Sequence, residues 1–107
     1  MELVAESYRL TSSFPREEMF GLTRQLRNAA VSVNLNIAEG WGRNGKAEFA
    51  RFADIARASA NEVEAAVEIA VRLEYLRQDQ LDRFYKLLDR VCSMLYRLIE
   101  SLRKPKP

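Results

Sequence analysis

LDRFYKLLDRVCSMLYRLIESL, residues 81–102, decides the fold. Leu81, Phe84, Leu88, Val91, Leu95, Leu98 and Leu102 follow one another at alternating steps of three and four. That is the 3.5-residue repeat of a helix packed along a bundle or coiled-coil seam. Beside it Tyr85, Cys92 and Ile99 repeat every seven residues and widen the apolar stripe. A helix with such a face cannot stand alone in water; it requires partners of similar length.

The partners lie upstream. Phe49, Phe52, Ala56, Val63, Val67, Ala70 and Leu73, with Ala53, Ala60 and Ala66, mark the buried side of a helix running from near Lys46 to about Leu76. Its alanines give high helix propensity and a surface that a neighbour can approach closely. Before it, Met19, Leu22, Leu26, Ala29, Ala30, Val33 and Ile37 form another stripe, with Pro15 suited to the first helical position and Glu17 and Glu18 to the first turn. Three glycines in Gly40-Trp41-Gly42-Arg43-Asn44-Gly45 end that helix near Glu39. A shorter segment, Met1 to Ser12, carries Leu3, Val4, Tyr8 and Leu10 and stops at Thr11-Ser12-Ser13-Phe14-Pro15. Short connections between long helices make sequence neighbours pack antiparallel. The expected fold is therefore all-α, an antiparallel up-and-down four-helix bundle over residues 1–103, with 104–107 as a frayed tail.

The chain has 107 residues, enough for one domain with its own core. Apolar and charged residues, at 48% and 30%, argue against disorder. The formal net charge is only +2, so binding to an anionic polymer has to rest on local clustering. One cysteine excludes an internal disulfide, and the absence of histidine removes both a neutral-pH base and the usual zinc ligands. No cofactor or metal is expected. No apolar run approaches the ~20 residues that span a bilayer, and the acidic start Met1-Glu2-Leu3-Val4-Ala5-Glu6 is unlike a secretory signal. The cytoplasm is the expected location, with no membrane partner.

Four features bear on function. Gln25, Asn28, Ser32, Asn36 and Glu39 form a polar stripe beside the apolar face of the second long segment. Small amides and hydroxyls are poor choices for a solvated helix surface, which points to paired polar groups at an interhelical contact. Ser59, Asn61 and Glu62 are the partners available on the next helix, giving a candidate structural network of Gln25, Ser32, Asn36, Glu39, Ser59 and Glu62. The glycine turn lacks a Walker or dinucleotide fingerprint, since Gly45-Lys46 is followed by Ala47, so it reads as a helix end. Trp41 in that turn either packs on the bundle end or stands exposed. Cations gather nearby, with Arg24, Arg27, Arg43, Lys46 and Arg51 as candidate phosphate contacts and Arg57 close behind. Catalysis has little to use: Cys92 sits in an apolar column, and a Glu39–Glu62 acid–base pair is all the carboxylates offer.

Two stretches resemble a known family. The first is Phe14-Pro15-Arg16-Glu17-Glu18, then Gly21-Leu22-Thr23-Arg24-Gln25-Leu26-Arg27, Ala29-Ala30-Val31-Ser32-Val33 and Asn36-Ile37-Ala38-Glu39-Gly40; the second is Ile55-Ala56-Arg57-Ala58-Ser59-Ala60-Asn61-Glu62-Val63-Glu64. They resemble the bacterial four-helix-bundle proteins first noticed in intervening sequences of 23S rRNA genes. Asn28, Asn34 and Ala58 depart from residues frequent there, namely arginine, proline and glycine. The resemblance implies ring-like homo-oligomers, typically pentamers. It extends to the accessory protein of diversity-generating retroelements, a basic pentameric bundle that binds nucleic acid and a reverse transcriptase. It carries Arg24, Arg27, Asn36, Glu39, Arg43, Ser59 and Glu62 over as signature positions, for a packed polar network or subunit contact first and nucleic acid second. Two functional expectations follow. One is a non-catalytic oligomer that contacts RNA or DNA; the other is a protein-interaction scaffold with no nucleic-acid role, using exposed residues such as Trp41, Leu35 or Tyr96. Neither involves a small-molecule substrate.

Overall fold

The computed structural model describes residues 1–105 and contains four α-helices: α1 (Glu2–Thr11), α2 (Leu22–Trp41), α3 (Lys46–Arg72) and α4 (Asp82–Arg103). Short 3-10 turns occupy Arg16–Glu18 and Gln78–Gln80, and no strand occurs among the described residues. α1 packs on α2 and α4, α2 on α3, and α3 on α4, which closes the expected antiparallel up-and-down bundle. The result is a rod of 52 × 25 × 19 Å. No helix of the described residues is long and apolar enough to cross a membrane.

The stripes read from the sequence meet along the axis. Leu3 and Leu10 of α1, Leu26 and Val33 of α2, Val63 and Val67 of α3, and Phe84 and Leu95 of α4 are almost wholly buried. Each such side chain contributes about 1.5–3 kcal/mol relative to an exposed one. Ala30, Ala53, Ala56, Ala60 and Ala70 are buried as well, and these short side chains let α2 and α3 run close together. Gly40 takes this furthest. A Cβ there would stand 2.9 Å from the Phe52 Cβ and 3.0 Å from Phe49 Cδ1, so only glycine fits.

Helix ends differ from the sequence reading in three places, each for a physical reason. Pro15 opens the 3-10 turn rather than α2, because Gly21, with φ −111° and ψ −112°, breaks the helical path. The Glu18 carboxylate then serves as a remote cap: Oε1 accepts the Leu22 N–H at 3.0 Å, while Oε2 accepts the Tyr75 hydroxyl at 2.9 Å. Met19, expected at the head of the buried stripe, is therefore exposed, and its neighbour Phe20 is 82% exposed. At its other end α2 continues through Gly40 to Trp41, because Gly40 is seated against α3. α3 stops at Arg72, not Leu76, and leaves Leu73 half exposed. There Glu74 turns left-handed at φ 64°, with Glu74 N–H bonding Val71 O at 3.0 Å and Tyr75 N–H bonding Ala70 O at 2.8 Å. This is a Schellman ending with glutamate where glycine is usual. Of the tail expected to fray, Lys104 follows α4 in extended backbone, whereas 106 and 107 lie outside the described residues.

α1 is fastened by polar groups as much as by Leu3 and Leu10. Its buried Glu6 accepts two bonds from Arg9, at 2.8 and 2.6 Å, with Arg83 of α4 at 3.9 Å. The Arg9 bonds outweigh the opposing effect of burial and hold this carboxyl below its usual range.

Candidate functional site

α2 and α3 face each other in a simple antiparallel register, with Ser32 opposite Ser59 and Gly40 opposite Phe52. Their outer edges bound an open groove of about 700 Å³. Its floor is small, formed by Ala29, Ser32, Ser59 and Ala66, and its walls include Gln25, Asn28, Ile55, Glu62, Ala65 and Ile69. The two serine hydroxyls share a hydrogen bond of 2.8 Å across the interface. Asn36 Nδ2 donates to Ser32 O at 2.8 Å and to Ser32 Oγ at 3.0 Å. Ser59 is 6% exposed, so this bond satisfies a hydroxyl that water hardly reaches.

The six residues expected to form one polar network are thus distributed among three places. Ser32, Asn36 and Ser59 join through hydrogen bonds. Gln25 and Glu62 line the same groove further along. Glu39 lies beyond it and accepts a bond from Arg43 at 2.7 Å. Because Glu62 sits level with Ala29 in this register, Glu39 is ten residues further along α2, about 15 Å away at 1.5 Å per residue. The two carboxylates are not an acid–base pair. Burial pushes the Cys92 thiol up, with Glu64 and Asp89 adding to the effect, so the sulfur is held as a poor nucleophile. Among the described residues no group of three His, Cys, Asp or Glu side chains is arranged to hold a metal ion.

The five candidate phosphate contacts are split between the two ends of the rod. Arg24 and Arg27 stand near the start of α2, and Arg43, Lys46 and Arg51 surround the turn into α3, roughly 20–30 Å further along. Three of them already have partners. Arg27 Nε donates to Thr11 Oγ1 at 2.7 Å, and its guanidinium lies 4.5 Å from the Tyr8 ring centroid, so it fastens α1 to α2. Arg43 is paired with Glu39 and lies over Phe52 at 5.2 Å. Arg51 bonds Glu48 at 3.1 and 3.3 Å and covers the same ring at 4.5 Å. Arg24 and Lys46 are exposed and form no ion pair among the described residues. Trp41 is 75% exposed and meets the Phe49 ring edge-on, with centroids 5.5 Å apart.

Sequence reasoning missed the apolar flank of the groove. Ile55, Ala58, Glu62, Ala65 and Ile69 are all exposed on α3, at steps of three, four, three and four. Gln25, Asn28, Ser32 and Leu35 follow the same spacing on α2. The signal was present as a second seven-residue repeat, hidden because the alanines of α3 look alike on every side.

Fold and surface together define a small helical bundle with a filled core and a second heptad-spaced seam left on its outside. The chain belongs to the 23S rRNA-intervening sequence protein family, whose model matches residues 1–97. A similar solved structure is a protein of unknown function from the S23 ribosomal protein family of Bacteroides thetaiotaomicron VPI-5482. It is 23% identical, has a TM-score of 0.76, and the match covers 90% of this chain and 87% of that one, which establishes the shared fold. No curated protein gives a match.

Proposed function

We propose that this chain is a non-catalytic, self-associating bundle of the cytoplasm that acts as an interaction scaffold. The α2/α3 groove is the face on which another copy docks. The observation that carries this is the double seam. Two rows with a 3.5-residue period, exposed except at the half-buried Ser32, run along a floor of alanine and serine, the arrangement that accepts an approaching helix as knobs into holes. Its floor of Ala29, Ser32, Ser59 and Ala66 is uncharged, Glu62 being the one charged side chain in the lining, and Ser32 and Ser59 have already satisfied each other. Five copies is the number set by the resemblance read from the sequence.

Light scattering on the intact chain tests this. Ile69→Asp places a charge in the apolar part of the seam and should reduce the measured mass to that of a single chain while the helical circular dichroism stays unchanged. A wild type that is monomeric at tens of micromolar, or an Ile69→Asp variant of undiminished mass, would sink the proposal.

Contact with RNA or DNA is the second reading, favoured by the exposed Arg24 and Lys46, which form no ion pair among the described residues. An assembly multiplies the +2 of each chain into a field that steers polyanions. Binding of labelled RNA and duplex DNA across a salt series should then fall linearly on logarithmic axes, with Arg24→Ala and Lys46→Ala reducing the slope. An intact assembly that binds neither polymer at low salt removes this reading and leaves the scaffold.

A further inference from the structure

The other edge of α3 carries a different site. Arg57 and Asn61 of α3 and Cys92, Ser93, Tyr96 and Arg97 of α4 line a cleft of about 610 Å³, within the size range of small-ligand sites. The spacing builds it: Arg57 and Asn61 are one turn apart on α3, and Cys92–Tyr96 and Ser93–Arg97 are one turn apart on α4. Two guanidinium groups therefore face one concavity, and no carboxylate lines it.

Neither arginine donates a hydrogen bond to a side chain among the described residues. Arg97 forms no ion pair among the described residues. Arg57 forms a long ion pair with Asp54 Oδ1 at 3.7 Å, beyond hydrogen-bond reach, and that buried oxygen has no hydrogen-bond partner. The other Asp54 oxygen is taken by Arg103. This contrasts with Arg27, Arg43 and Arg51, each bonded to a neighbour. The remaining lining is equally specific. Tyr96 is 62% exposed and offers a ring face, Asn61 brings an amide with both donors and an acceptor, and Cys92 lies half-buried in the lining.

We propose that this cleft binds one nucleotide unit, its phosphate held between Arg57 and Arg97 and its base stacked on Tyr96. Planar guanidinium forks match phosphate oxygens two at a time, and an aromatic face accepts any base. Free nucleotides and an unpaired nucleotide within a strand share this chemistry. The inference does not depend on self-association through the α2/α3 groove, which uses the opposite edge of α3.

Cys92 makes the test direct, because it is the only thiol in the chain and lies in the cleft. Its alkylation by a maleimide dye is followed at mildly alkaline pH with ADP, a short single-stranded oligonucleotide or inorganic pyrophosphate added to the full chain. ADP at ten times its Kd should slow labelling about tenfold, the fraction of open sites left by mass action. The strand protecting at lower concentration than ADP identifies nucleic acid as the source, and the reverse order identifies free nucleotide. Arg57→Ala and Arg97→Ala should each abolish protection, Tyr96→Phe should keep it, and Tyr96→Ala should lose it for ADP. Ile69→Asp should leave protection intact, which separates this site from the assembly. No protection by ADP or strand at millimolar concentration, or protection that survives both arginine variants, overturns the proposal. Pyrophosphate protecting as well as ADP, undiminished in Tyr96→Ala, overturns the stacked base.

Discussion

Replacing Gly40 by alanine is the sharpest test of how α2 and α3 pack. In an isolated helix the change is favourable by about 1 kcal/mol, since alanine has the higher propensity. In the bundle the new methyl would meet Phe52 Cβ at 2.9 Å, Phe49 Cδ1 at 3.0 Å and the Phe49 carbonyl at 3.3 Å. The first of these is fixed to the α3 backbone and cannot swing away, so the helices themselves must separate. Overpacking of this kind costs about 1–3 kcal/mol, here near the upper end because the obstacle is rigid. The net expectation is a loss of roughly 1–2 kcal/mol after the gain in propensity. That corresponds to a drop in Tm of about 4–8 °C for each kcal/mol. Gly42→Ala is the internal control: its Cβ would meet only carbonyl oxygens at 3.7 and 3.8 Å, so it should be neutral or slightly stabilising. Urea unfolding followed by circular dichroism and by Trp41 fluorescence measures both variants. Trp41 neighbours the site and should also report a local shift. Gly40→Ala matching or exceeding the wild type in midpoint would refute the packing argument, and equal losses in the two variants would refute its locality.

Two further outcomes follow from single residues. Glu74→Gly should raise stability by about 0.5–1 kcal/mol, because φ 64° costs glutamate what it does not cost glycine; a lower urea midpoint would contradict this. Acid should weaken the end of the bundle held by Glu18 and Glu6. The Leu22 N–H and the Tyr75 hydroxyl depress the first carboxyl, and Arg9 depresses the second. Both contributions are complete above the ordinary value near 4.5 and are lost as pH falls through the lower folded values. Glu18→Gln should therefore cost stability at neutral pH and flatten the acid limb of a Tm–pH profile; an unchanged limb would remove Glu18 from the account.

Periodicity in the chain determined the helices and which face of each is buried. Leu81, Phe84, Leu88 and Leu95 of the 81–102 seam, Ala53, Ala56, Ala60, Ala66 and Ala70 of α3 and the stripe from Leu22 to Val33 bury as their spacing requires, while Val91, Leu98 and Leu102 are half-buried at the seam's margin. The family was legible too, in two short motifs whose match extends over residues 1–97. Helix ends were not, because they depend on groups distant in sequence. Glu18 caps α2 while holding Tyr75, and Gly40 stays helical only because Phe49 and Phe52 lie against it.

The candidate site was divided in the same way. Small polar residues at helical spacing marked Ser32, Asn36 and Ser59, since such residues are poor choices for a free helix surface. Charge in the sequence could not say which arginines are free. Arg27 and Arg51 carry the same formal charge as Arg57 and Arg97, yet the first two are bound to Thr11 and Glu48 and the last two face an open cleft. A cation's availability depends on what the fold brings within about 3 Å of it, and hydrogen bonds of that length are made across helices as readily as along them. Spacing along the chain determined the bundle; proximity across it decided which surfaces are left to bind.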